Sequence, residues 1–317
     1  MGLRTLRARA HRVLDKEDVM DAAHPTGRGI VVAFDGSPGA EPALDWAAHA
    51  ARRENRPLTV VHCVEAADIP IGPPFLPETL PSEVRADAQA ILDVGVARAT
   101  AVTGPELVDS AVVVGTTAAE LVLASKDAGL VVIGSRGRGR MAAGLLGSTS
   151  YAVAAHALCP VVVVRGGWAV HPGPDHPVVV GVDDSEASHR AVARAAEVAA
   201  AAGAVLRIVT VGHLRSPEGW AYVEDSRAGT EHSHAVREHA QPILDGARRR
   251  ATAHRPDLVV ETEVLFGEPG HVLAGNGVHA GLLVVGSRGR GGFAGLLLGS
   301  VSHTVIHEAT CPVMVVR

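Results

Sequence analysis

The sequence predicts an α/β protein made of two copies of one domain, each a parallel sheet wound with helices on both faces. Three observations predict it. Residues 130–165 (LVVIGSRGRGRMAAGLLGSTSYAVAAHALCPVVVVR) and 282–317 (LLVVGSRGRGGFAGLLLGSVSHTVIHEATCPVMVVR) align at a constant offset of 152, with 22 of 36 positions identical. Short apolar runs alternate with longer helical patterns, the spacing of strand-helix-strand units. The runs are continuously apolar, as expected of strands covered on both sheet faces. A length of 317 residues agrees, since one domain usually takes about 150.

The elements follow in order. Residues 1–27 have no counterpart in the second half and form an N-terminal extension. Within it Leu3, Leu6, Ala10, Val13 and Leu14 fall at helical spacing between Arg4, Arg7, Arg9 and Arg12, which reads as a short basic amphipathic helix, docked or frayed. The first domain, 28–166, opens with a strand at 30–34 and a turn at Asp35-Gly36-Ser37. A helix follows over 40–53, with Pro42 tolerated in its first turn. Then come a strand at 58–64 and a loop marked by Pro70, Pro73, Pro74, Pro77 and Pro81. A helix over 83–103, a strand at 107–114, a helix over 117–128, a strand at 130–133, a helix over 148–157 and a strand at 161–164 complete the unit. Residues 167–177 are the linker. The second domain, 178–317, repeats the order: strand 178–182, turn 183–185, helix 188–202, strand 206–211, an irregular stretch to about 229, helix 231–253, strand 258–266, helix 269–280, strand 282–285, helix 300–309 and strand 313–316.

Composition narrows the function. The chain is 47% hydrophobic and 20% charged with net charge −5, which describes a soluble globular protein with ample core. That balance excludes bulk electrostatic binding of nucleic acid, which needs a concentrated basic face. With aromatics at 3%, stacking platforms for single strands are excluded too. Cys63, Cys159 and Cys311 form no CxxC pair. They read as small buried residues of a protein from a reducing compartment. No apolar run reaches membrane-span length, and the N-terminal residues lack the apolar core of a secretion signal. The expected location is cytoplasmic.

The chemistry lies after the fourth strand of each repeat. Gly134-Ser-Arg-Gly137 is followed after nine residues by Gly147-Ser148; Gly286-Ser-Arg-Gly289 is followed after nine by Gly299-Ser300. Glycine lets the backbone turn and lets a ligand approach main-chain N–H groups. The second Gly-Ser opens a helix, where unpaired N–H groups and the helix dipole favour an anion. Ser148 and Ser300 either cap that helix or donate to a phosphate. Arg136, Arg138, Arg140, Arg288 and Arg290 add positive charge to the loops or simply solvate them. Residues 137–142 mimic a dinucleotide fingerprint, but no helix starts immediately behind them, and no GxxxxGK[ST] loop exists. In open parallel sheets ligands bind beyond the carboxyl ends of the strands, where strand order reverses.

The pattern G-x2-G-x9-G-[ST], together with an Asp turn after the first strand, resembles the universal stress protein family in its tandem-domain, ATP-binding form. The resemblance covers both repeats. It implies two flavodoxin-like (Rossmann-like) five-stranded parallel sheets of order 3-2-1-4-5, and one ATP, with Mg2+ helping to neutralise its phosphates, in each. It assigns Asp35 and Asp183 to the nucleoside, although each also suits an Asx turn or a helix cap. Cys63 and Val211 fall on the adenine side, with Cys63 departing from the usual valine. Ile133 and Val285 flank the ring or are ordinary sheet core. Gly134, Arg136, Gly137, Gly147, Ser148, Thr149 and Ser150 form the first phosphate site. Gly286, Arg288, Gly289, Gly299, Ser300, Val301 and Ser302 form the second, where Val301 lacks the hydroxyl of Thr149. His232, His234 and His239 cluster on one helix, but i and i+2 do not share a face, so no metal site is assigned. No catalytic residue is assigned either. The function implied is nucleotide-dependent stress-response regulation without efficient turnover; the alternative is a slow ATPase or a nucleotidyl or phosphoryl transferase. Expected partners are ATP, the other repeat through strands 161–164 and 313–316, and a second copy of the chain in a homodimer.

Overall fold

The computed structural model describes residues 29–65, 80–135, 146–165, 170–212, 227–291 and 297–317. The amphipathic pattern of residues 3–14, nearly all of the Pro-rich loop, and Arg136, Gly137, Arg138 and Arg140 lie outside the described residues.

The first repeat runs β1 (Ile30–Ala33), α1 (Glu41–Glu54), β2 (Leu58–Val64), α2 (Ser82–Thr103), β3 (Val108–Val114), α3 (Thr117–Ala124), β4 (Leu130–Gly134), α4 (Ser148–His156) and β5 (Val161–Val164). The second runs β6 (Val178–Gly181), α5 (Glu186–Ala202), β7 (Leu206–Gly212), α6 (Arg227–Thr252), β8 (Val260–Phe266), α7 (Pro269–Asn276), β9 (Leu282–Gly286), α8 (Ser300–Glu308) and β10 (Val313–Val316). Local chemistry accounts for several boundaries. Pro42 sits in the first turn of α1, and Asn55 ends that helix in the left-handed region at φ 48°. The Ser185 hydroxyl accepts from the Ser188 amide and caps α5, which starts two residues earlier than the periodicity predicts. Residues 277–279, expected as the end of α7, tighten into a 3-10 turn.

The strands form one ten-stranded sheet of order β3-β2-β1-β4-β5-β10-β9-β6-β7-β8. Each half has the expected 3-2-1-4-5 order with parallel pairing. The halves are not separate sheets: β5 and β10 pair antiparallel, with Val313 opposite Val163, Met314 opposite Val162 and Val315 opposite Val161. Pairing at the last strands removes two edges that would otherwise expose unpaired amides. Strand residues alternate between two cores. Ile30, Val32, Val180 and Val284 face one with α1, α2, α5 and α6; Val31, Val131, Val179 and Val285 face the other with α3, α4, α7 and α8.

Two further contacts cross the seam. The Arg165 guanidinium after β5 donates to the carbonyls of Ile306 and His307 at the end of α8, and Arg317 after β10 donates to Ala154 near the end of α4. Each repeat thus supplies a cation to the carbonyl end of the other's helix, where the dipole favours it. On the opposite face, Glu54 of α1 bonds Arg194 of α5 at 2.8 Å and Arg56 at 2.9 Å. The Glu54 side chain is 9% exposed and that of Arg194 15%. Burial alone pushes the Glu54 carboxyl up, but Arg194 and Arg56 outweigh it and hold the group below the usual carboxylate range.

This gives a pH prediction. With its folded-state value depressed, Glu54 stays ionised in the native chain where the unfolded chain takes up a proton. Its contribution is full above about pH 4.3 and is lost as pH falls through the folded-state value. Glu54→Gln therefore melts below the wild type at neutral pH, and the gap narrows in acid. Thermal melts on both proteins from neutral pH downward check this; a gap independent of pH contradicts it.

Candidate functional site

In the second repeat the chain leaves β6 and turns at Asp183-Asp184-Ser185. Asp183 Oδ1 accepts from the Ser185 amide at 3.1 Å and the Ser185 hydroxyl at 2.6 Å. Asp35 does the same with Ser37, at 3.0 Å and 2.6 Å. Both aspartates therefore form Asx turns. Asp183 does more: its Oδ2 accepts from the Arg290 amide at 2.9 Å, joining the turn after β6 to the glycine-rich loop after β9. A Cβ on Gly289 would collide with that carboxylate oxygen. Gly289 is thus glycine for this approach. Asp184, in the left-handed region at φ 65°, binds His189 and Arg290 at 3.0 Å each. The bonds from His189 and then Arg290 hold its carboxyl below the usual range.

The two glycine-rich loops are anchored identically. The Ser287 amide bonds Val316 O at 2.7 Å and Gly299 N returns to Ser287 O at 2.8 Å; in the first repeat Ser135 bonds Val164 O at 2.8 Å and Gly147 bonds Ser135 O at 2.9 Å. The closing bond brings the second Gly-Ser back beside the strand end. Gly147 and Gly299 are themselves the helix N-caps, with no side-chain cap. Ser148 and Ser300 are exposed first helical residues, so capping is not what their hydroxyls do. Ser150 and Ser302 are buried. The Ser150 hydroxyl donates to Gly134 O at 2.7 Å, while Ser287 O and Gly299 O both lie 3.0 Å from that of Ser302. Of the predicted serines, the outer pair has exposed hydroxyls with no bond among the described residues, and the inner pair secures the loop.

A cavity of about 790 Å3 opens at the carboxyl ends of the second repeat's strands. Asp183, Val211, Val285, Gly286, Arg288, Gly289, Gly299, Ser300, Val301 and Ser302 all line it. The ten residues chosen from the sequence in this repeat thus converge on one space. Their first-repeat counterparts Asp35, Cys63, Ile133, Gly134, Gly147, Ser148, Thr149 and Ser150 occupy equivalent element ends. Burial pushes the Cys63 thiol up to about 12, which leaves it a small apolar side chain. The sequence reading missed one wall: Val236, His239, Ala240 and Ile243 of α6 also line the cavity. Val236, Ala240 and Ile243 fall at i, i+4 and i+7, a signal of one apolar face.

The functional loop chemistry and the sheet order meet in the comparisons. The Usp family model, described as Universal stress protein family, matches residues 28–165 and 176–317. The chain belongs to the universal stress protein family. Its relatives in that family include the universal stress protein Rv2005c of Mycobacterium tuberculosis, 38% identical over 294 residues and covering 91% of this chain and 97% of the relative. A solved universal stress protein from Archaeoglobus fulgidus shares the fold with a TM-score of 0.62 at 22% identity, covering 91% of this chain and 98% of its own. Another solved chain, a universal stress protein in complex with cAMP, is 33% identical over 45% of this chain and 96% of its own, with a TM-score of 0.32.

Proposed function

We propose that this universal stress protein binds ATP, with Mg2+, in each repeat and acts as a cytoplasmic stress-response regulator without efficient turnover. The observation that carries the reading is Gly299 at the cavity mouth. Its backbone is in the ordinary extended region (φ −75°, ψ 163°), and a Cβ there would meet nothing closer than Arg288 Cα at 3.4 Å. Glycine suits this helix N-cap, but among the described residues neither strain nor packing demands it, which leaves the space open to a ligand. That space adjoins the first turn of α8, whose leading amides have no carbonyl within the helix to bond. The exposed Ser300 hydroxyl and Arg288 lie on the same rim. An anion fits such a rim, and Val211, Val285 and Ile243 supply an apolar wall for a flat ring.

Asp183 is the one carboxylate among the described lining residues, and its two oxygens already accept from Ser185 and Arg290. A carboxylate so committed is a poor base for activating water, which favours retention over turnover. Occupancy then biases a conformational or partner equilibrium by its differential affinity for the two states. Native mass spectrometry of the purified chain tests the reading. The expected result is added mass equal to bound adenine nucleotide; a different ligand class in the same cavity overturns it.

A further inference from the structure

Outside the cavity, the seam between the repeats carries a side-chain cluster that the function above does not use. His303 and His307 stand at i and i+4 on α8, on the same face one turn apart. Their ring centroids are 4.4 Å apart with the planes 32° from parallel. Neither ring makes a hydrogen bond or ion pair among the described residues, and neither residue lines the cavity. His303 is exposed and His307 half-buried, so both are reachable from solvent.

We propose that His303 and His307 bind one borderline divalent transition-metal ion of the Zn2+, Ni2+ or Cu2+ class. Imidazole suits these metals, and two neutral imidazoles one helical turn apart offer a chelating pair, with water completing the shell. The surroundings fix where the two rings stand. Tyr151 of α4, from the other repeat, stands edge-on to His303 at 5.6 Å and lies 6.5 Å from His307. Arg165 fixes the backbone beneath the second ring through the carbonyls of Ile306 and His307. Glu308 is occupied by His271 at 2.6 Å.

The site is not duplicated. At the 152-residue offset the first repeat has Tyr151 and Ala155 in place of the two histidines. The stoichiometry is therefore one metal per chain, whereas features common to both repeats come in twos. The His-x3-His pattern at 303–307 falls inside the repeated segment.

The test is calorimetric titration of Zn2+ and Ni2+ into tag-free, nucleotide-free full-length chain. The expected result is one equivalent per chain, with affinity reduced about tenfold or more in His303→Asn and in His307→Asn. His234→Asn, on α6, leaves it unchanged. Binding also weakens in acid, where protons compete for the imidazoles. No binding, or a titration that neither α8 variant alters, overturns the proposal. Because no nucleotide is present, either outcome is independent of the ATP reading.

Discussion

Gly299→Val weakens nucleotide binding in the second repeat by roughly a hundredfold and leaves the fold unchanged. The two halves of that expectation rest on different observations. The fold tolerates the substitution because the backbone at 299 is extended and its Cβ position makes only ordinary contact with Arg288. Binding does not tolerate it because the branched side chain projects into the space beside the first turn of α8, where the anion would sit. Overpacking of about 3 kcal/mol there weakens binding by roughly a hundredfold. Ser300→Ala offers the contrast: with no cap bond to lose, stability stays within about 0.5 kcal/mol, and any effect appears in affinity. Calorimetry and thermal melts separate the two readouts. A Gly299→Val chain that binds as tightly as wild type makes the loop purely structural.

Val163→Asp breaks the seam. Val163 is fully buried in β5, opposite Val313 of β10 and beside Ile133 of β4. An aspartate there is an unpaired charge between two valine-rich strands, and no cation among its pairing neighbours compensates it. The destabilisation is about 4 kcal/mol or more, which lowers the melting temperature by roughly 10 °C. Val94→Asp is the matched control, since Val94 is 63% exposed on α2. Equal melting temperatures for the two variants would mean that β5 and β10 do not form a buried seam.

Those two residues also mark what the sequence makes legible. Strand content follows from apolar runs such as 130–133 and 282–285, because a strand covered on both faces must be apolar throughout; the order within each half is implied only by the family resemblance. The seam follows from the same logic, since two short all-apolar end strands need partners. Helix ends are less legible: Ser185 caps α5 through a side-chain bond, which shifts the start from 188 to 186. Within the glycine loops the sequence treats Ser148 and Ser150 alike, whereas two residues of helical rotation separate an exposed hydroxyl from a buried one. The α6 wall of the cavity and the Glu54–Arg194 pair, 140 residues apart, depend on tertiary packing that no local pattern records. Asp183 reads as an Asx turn from its neighbours alone; its grip on the Arg290 amide needs the two loops in space.

The central claim is that both repeats are nucleotide sites. Its most direct measurement is calorimetric titration of ATP with Mg2+ into nucleotide-free full-length chain, wild type and Gly299→Val. The account predicts two sites per wild-type chain, of unequal affinity because Cys63 and Thr149 of the first repeat are replaced by Val211 and Val301 in the second, and one remaining site in the variant. A wild-type stoichiometry of zero would contradict it.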